Sequence, residues 1–151
     1  MKPFIPFVFA VLFAGPLAAE SHSEAGDAML FAPATMADLS EFRWKKRPVL
    51  VFADSADDPA YIEQLELLRA RTQALEDRDI IVLTDTDPAA RSALRLKMRP
   101  RGFMLVLVGK DGGVKLRKPF PWSVREISRS IDKMPMRQRE IREDKETAKD
   151  S

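Results

Sequence analysis

Pro48 to Ala53, Ile80 to Leu83 and Phe103 to Val108 are apolar runs rich in branched side chains and bounded by polar residues, and they are separated by segments of helical spacing. Runs of this length and composition read as strands buried on both faces. Strands of that kind are covered by helices, so the first two, joined through a helix, must lie parallel with a right-handed crossover. After the third, Gly109-Lys110-Asp111-Gly112-Gly113 is a tight turn, and Val114 to Arg117 returns as an antiparallel fourth strand. The expected fold is α/β, a single domain with a four-stranded mixed sheet and helices on both faces.

The helices have legible ends. Asp57 or Asp58 caps a helix that takes Pro59 in its first turn, where the missing N–H costs nothing, and Tyr61, Leu65, Leu68, Thr72 and Leu75 recur along one face of it. Asp87-Pro88 opens the next, whose spacing turns Ala90, Leu94 and Met98 inward and Arg91 and Arg95 outward. Ser123-Val124-Arg125-Glu126 is a capping box, with Trp122 and Ile127 as its hydrophobic staple. Val124, Ile127, Ile131 and Met134 form the core side of that last helix. Ahead of the first strand, Thr35 begins a short helix with Asp38 as its capping-box partner and Leu39 and Phe42 as its apolar side.

Outside this domain, placed at residues 35–135, the ends differ in character. Lys2, the apolar run Ile5 to Ala14 and the small residues Gly15-Pro16-Leu17-Ala18-Ala19 are the parts of a signal peptide over residues 1–19. Ten apolar residues fall short of the roughly twenty that a bilayer core of ~30 Å requires. The mature protein is therefore expected to be exported, periplasmic or secreted, with no membrane span. Residues 20–34 read as a linker, with a short strand at Met29 to Phe31. Residues 136–151 are almost all charged or polar and read as a solvated, frayed helical tail.

Composition excludes whole classes of chemistry. With no cysteine and one histidine in 151 residues, disulfides, thiol nucleophiles, cysteine-ligated zinc and iron–sulfur clusters are impossible. A net charge of +2 is too mild to indicate nucleic acid. The histidine, His22, becomes the third residue if cleavage follows Ala19, which with the free amine and two amides offers a square-planar nitrogen site for Cu(II) or Ni(II).

Leu39 to Phe52 (Leu-Ser-Glu-Phe-Arg-Trp-Lys-Lys-Arg-Pro-Val-Leu-Val-Phe), Gly102 to Val108 with Asp111-Gly112-Gly113-Val114, and Ser123 to Ile131 resemble the first core strand, hairpin and last helix of thioredoxin and peroxiredoxin proteins. The combination of Phe-Arg-Trp-Lys, the Gly109 to Arg117 turn and Ile-Asp-Lys-Met-Pro-Met-Arg resembles, more narrowly, the domain of unknown function 4174 family. That likeness, over about residues 35–140, implies a thioredoxin-like fold found in small exported bacterial proteins and in secreted vertebrate matrix proteins with extra domains. It carries over no catalytic residues. Where thioredoxin has Trp-Cys-Gly-Pro-Cys-Lys, this chain has Ala56-Asp57-Asp58-Pro59-Ala60-Tyr61, so Asp57 and Ala60 occupy the cysteine positions. Neither exchanges disulfides nor reduces peroxide. The proline usually found, in its cis form, directly before the third strand is out of register, since Pro100 lies three residues ahead of Phe103.

Two groups of side chains stand out for binding. The third strand should start beside the end of the first, bringing Asp54, Asp57 and Asp58 towards Arg99 and Arg101, with Asp85 and Asp87 at the neighbouring strand end, where open α/β sheets bind ligands. Helix caps and surface ion pairs, each worth at most ~1 kcal/mol, account for the same residues. The second group is basic: from Arg91 to Lys118 the cations Arg91, Arg95, Lys97, Arg99, Arg101, Lys110, Lys115, Arg117 and Lys118 meet one acid, Asp111. Such a face attracts anions, or it is a solvated surface balanced by the acidic first half. Little aromatic interleaving argues against single-stranded nucleic acid.

These residues lead to a redox-inactive module that binds a protein or anionic partner, possible anionic surface contact included, through Asp57, Asp58, Arg91, Arg95, Arg99 and Arg101, without cofactor. The competing class is an enzyme. One form is a metal-dependent hydrolase on Thr84-Asp85-Thr86-Asp87, whose Asp-x-Asp resembles phosphoryl-transfer sites; the other is an activity at an Asp57/Arg101 cleft. A structural envelope protein is the third.

Overall fold

The computed structural model describes residues 30–151; the signal peptide, its cleavage point and His22 lie outside the described residues. The strands are β1 (Phe31–Pro33), β2 (Arg47–Phe52), β3 (Ile80–Asp85), β4 (Met104–Val108) and β5 (Val114–Lys118). The helices are α1 (Pro59–Arg69), α2 (Thr72–Glu76), α3 (Ala93–Met98), α4 (Val124–Asp132) and α5 (Pro135–Lys149).

The sheet has five strands rather than four, in the order β1-β3-β2-β4-β5. β1, β3 and β2 are parallel, with Arg47 opposite Ile80 and Phe52 opposite Asp85, while β4 and β5 run antiparallel, with Phe52 opposite Met104. The additional strand begins inside the stretch read as linker and two residues later than the Met29 to Phe31 strand expected there. A three-residue strand ending in proline has no room for alternation, so its pairing partner, β3, defines it.

Alternation along the central strands splits the core. Val49, Val51, Val82, Leu105 and Leu107 pack against Leu65, Leu68, Leu75, Val124, Ile127 and Ile131 of α1, α2 and α4. On the other face Leu50, Phe52, Leu83, Val106 and Val108 meet Leu94 and Met98 of α3 and Leu39. Strands covered on both sides must be apolar throughout, and all of β2 is buried. β5, at one edge, is Val-Lys-Leu-Arg-Lys, and its cations discourage pairing with another sheet.

Several local expectations are corrected. The single helix over Tyr61 to Leu75 is two, because Arg71 leaves helical backbone at φ −140°, ψ 46°. The lead-in helix is a pair of 3-10 turns, Ala34–Met36 and Leu39–Phe42, and Asp38 caps the second by accepting from the Ser40 N–H at 2.9 Å. All peptide bonds among the described residues are trans. The tail is not simply solvated: α5 has no buried apolar residue, yet Glu140 binds Arg47 and Lys110.

Gln64, fully buried in α1, is a polar residue that helical spacing places on the core side without explaining it. Its amide donates to the Trp122 carbonyl at 3.0 Å and accepts from the Trp122 N–H at 2.7 Å, clamping the segment before α4 onto α1. Gln64→Ala strands both backbone groups, and an unpaired buried polar group costs about 1–3 kcal/mol. A loss of about 3 kcal/mol in urea unfolding is expected. A loss under ~0.5 kcal/mol, typical of surface changes, would mean the clamp is dispensable.

Candidate functional site

The carboxyl ends of β2 and β3 lie side by side, and the chain leaves them at Ala53-Asp54 and at Thr86-Asp87. Here the fold places Asp85 and Arg95 in a buried ion pair. The Arg95 side chain donates from Nη2 to Asp85 Oδ1 at 3.0 Å and to the Ala53 carbonyl at 2.7 Å, and from Nε to Asp85 Oδ1 at 3.3 Å. Ser92 Oγ donates to Asp85 Oδ2 at 2.5 Å, and the Asp87 N–H donates to Oδ1 at 3.1 Å. The guanidinium also stacks over Phe52, 5.6 Å from the ring centre. Burial pushes the Asp85 carboxyl up, but the hydrogen bonds from Arg95, Ser92 and the Asp87 amide outweigh it and hold the group below its ordinary range.

Arg95 therefore points inward, with 8 % exposure, contrary to the expectation that it pairs with Arg91 on an outward face. The cause is the helix start. Asp87 caps only the 3-10 turn Pro88–Ala90, which Arg91 ends in left-handed backbone at φ 49°. Ser92 then caps α3 through the Arg95 N–H, which rotates the face by restarting it five residues after Asp87. Ala90, expected inward, is exposed, and Arg91 lies outside the helix.

The remaining rim residues are not drawn into this cluster. Asp54 reaches Arg95 Nη1 only at 3.8 Å. Asp58 accepts from the Ala60 N–H at 2.9 Å as the α1 cap; exposed Asp57 donates its own N–H to Ser55 Oγ. Arg91, Arg99 and Arg101 are exposed and form no side-chain hydrogen bond or ion pair among the described residues, so the expected approach of Asp57 and Asp58 to Arg99 and Arg101 forms no bond. Asp85 is buried and both its oxygens are engaged, Oδ1 by Arg95 and the Asp87 N–H and Oδ2 by Ser92, so in this arrangement it serves as the counter-ion of Arg95.

The basic stretch is likewise partly neutralised. Lys110 binds Asp79 at 2.8 Å and Glu140 at 2.7 Å, Lys115 binds Asp111 at 2.8 Å, and Lys118 stacks on Trp122. Arg117 donates to the Met98 carbonyl, tying β5 to the end of α3. At the opposite end of the sheet Glu140 joins Arg47 (3.0 Å), Lys110 and Arg137 (3.3 Å) beside a cavity of about 380 Å³ between the hairpin and α5. The sequence had no signal for this cluster, since Arg47 and Glu140 are 93 residues apart. Also unanticipated is Trp44, which is 63 % exposed in left-handed backbone at φ 67°, with its N–H bonded to the Lys110 carbonyl at 2.7 Å.

Comparison with known proteins places this geometry in context. Residues 38–140 match the family described as Domain of unknown function (DUF4174). Coiled-coil domain-containing protein 80 of Danio rerio is 28 % identical over 133 residues, covering 68 % of this chain and 15 % of that protein, so the chain spans only a small part of its relative. Among solved structures, reduced 2-Cys peroxiredoxin of Plasmodium vivax superposes with a TM-score of 0.54 at 16 % identity, covering 68 % of this chain and 85 % of that one. Reduced desulfothioredoxin of Desulfovibrio vulgaris Hildenborough gives 0.51 at 16 % identity, covering 70 % and 97 %. The fold is thioredoxin-like.

Proposed function

The chain belongs to the DUF4174 family, and from that premise we propose that it is an exported, redox-inactive binding module for an anionic partner. One observation carries the proposal: Arg91, Arg99 and Arg101 stand exposed and unpaired among the described residues around a strand end whose interior is already closed by the Asp85–Arg95 pair. A closed, cysteine-free strand end cannot do thiol chemistry, but unneutralised guanidiniums around it attract and pair with anionic groups. Export rests on the Lys2, Ile5 to Ala14 and Ala18-Ala19 pattern. Among the described residues no helix is long and apolar enough to cross a membrane.

Arg99→Glu with Arg101→Glu should weaken binding to heparin or anionic vesicles by about tenfold, equivalent to ~1.4 kcal/mol, and the remaining affinity should fall with salt because exposed charges are screened over ~10 Å at 0.1 M. Arg142→Glu with Lys145→Glu on α5 makes the same charge change elsewhere. Equal losses from both pairs would reduce the interaction to net charge and end the proposal. A second contact is favoured by Trp44, because a bulky residue held in left-handed backbone with its ring in solvent, flanked by exposed Arg43, Lys45 and Lys46, suits a partner with both apolar and anionic groups.

A further inference from the structure

Arg71, Arg78, Arg125 and Arg129 line one cleft of about 280 Å³ between α2 and α4, together with Ser128 and Asp132. This cleft lies on the α1, α2 and α4 face of the sheet, opposite the face that carries α3, so it is separate from the Arg99 and Arg101 rim. We infer that it is a binding site for a phosphomonoester group.

Its one carboxylate is already committed. Asp132 accepts from Arg78 Nε at 3.0 Å and Nη2 at 2.8 Å, and Arg137 Nε approaches it at 3.5 Å. Arg78 gives its remaining nitrogen, Nη1, to the Ala74 carbonyl at 2.9 Å. Arg78 and Asp132 thus form a neutral, fixed wall. Arg71, Arg125 and Arg129 are exposed, and their side chains form no hydrogen bond or ion pair among the described residues. Arg125 and Arg129 are one turn apart on α4, a spacing at which like charges repel. Arg71 is brought to them by the break between α1 and α2. The nearby carboxylates of Glu76 and Asp77 beside α2 and of Glu126 on α4 do not line the cleft.

Three unpaired guanidiniums around one cavity are unfavourable when it is empty and favourable when an oxyanion sits among them. Guanidinium forks match phosphate oxygens in pairs, and three positive charges suit a doubly charged group better than a single carboxylate. Val124, Arg125, Ser128 and Arg129 line the cleft along one side of α4, and the half-buried Ser128 adds a hydroxyl donor. The volume exceeds one phosphate and leaves space for the group that carries it, whether a soluble ester or a lipid headgroup.

Titration calorimetry on the full chain with inorganic phosphate and with pyrophosphate tests the site, alongside flotation with phosphatidate vesicles and with phosphatidylserine vesicles of equal charge. Saturable binding of the soluble probes, weakened about tenfold or more by Arg125→Ala with Arg129→Ala and less than about twofold by Arg142→Ala with Lys145→Ala, is expected. All four positions are exposed, so the fold persists in both variants. Phosphatidate-selective flotation with the same dependence on Arg125 and Arg129 supports the site and identifies a lipid source. No saturable binding to any of these probes, or equal losses in the two double variants, overturns it.

Discussion

Asp85→Ala is expected to destabilise the protein by about 3–5 kcal/mol, the usual consequence of removing one partner from a buried ion pair. The large value comes from what is left behind. Arg95 would keep its carbonyl contacts with Ala53 and Asp85 and its stacking on Phe52, but its charge would be enclosed without a counter-ion. Ser92 Oγ would also lose its acceptor. Arg95→Met in the same background removes the stranded charge and retains the length of the side chain, so the double variant should recover much of the loss; buried pairs replaced by apolar residues are often neutral in stability. Urea midpoints of the wild type, both single variants and the double variant provide the coupling energy. If the two single effects simply add, the pair is not the stabilising unit described above.

Acid should attack the other end of the sheet. Burial pushes the Glu140 carboxyl up, but hydrogen bonds from Lys110 and Arg47, with Arg47's charge and a contact from Arg137, bring it down from 4.5 to about 2. A carboxyl whose folded value is depressed contributes stability that is complete above its ordinary value and disappears as pH falls through the folded one. The loss therefore belongs to the window from about 4.5 down to about 2. Its size at neutral pH is at most roughly 3 kcal/mol, and somewhat less because Glu140 is 20 % exposed. Glu140→Gln should show that loss at pH 7 and a flatter stability profile between pH 5 and 2.5, with Asp38, Asp85, Asp111 and Asp132, also depressed, contributing to the slope that remains. A profile identical to that of the wild type would show that Glu140 does not hold α5.

Sequence patterns carried the central strands, the hairpin and α4 because each depends on local periodicity and caps: Val49 to Phe52 alternate between the two cores, and Ser123 does cap α4 through the Glu126 N–H. The same patterns failed where a charge answers a distant charge. Arg95 satisfies the period of an outward residue if the helix starts at Asp87, and only the proximity of Asp85 and the capping by Ser92 turn it in. Arg47, 1 % exposed, precedes a strand proline and resembles any surface arginine until Glu140 is brought to it. The candidate rim was legible as a location but not as chemistry, since Asp57 and Asp58 are cap and turn residues and the arginines of α4 carry no local pattern beyond that of a helix.

The 93 residues between Arg47 and Glu140 also set an order of events during synthesis. At about 5–20 residues per second, the counter-ion of β2's first residue is made roughly 5–20 s after it, once α4 is complete and α5 has begun. Until then Arg47 has the Arg78 carbonyl but no counter-ion, so a nascent chain ending before Glu140 should be less stable than the whole chain by about the loss expected for Glu140→Gln. The last helix thus delivers, at the very end of synthesis, the counter-charge for the first residue of β2.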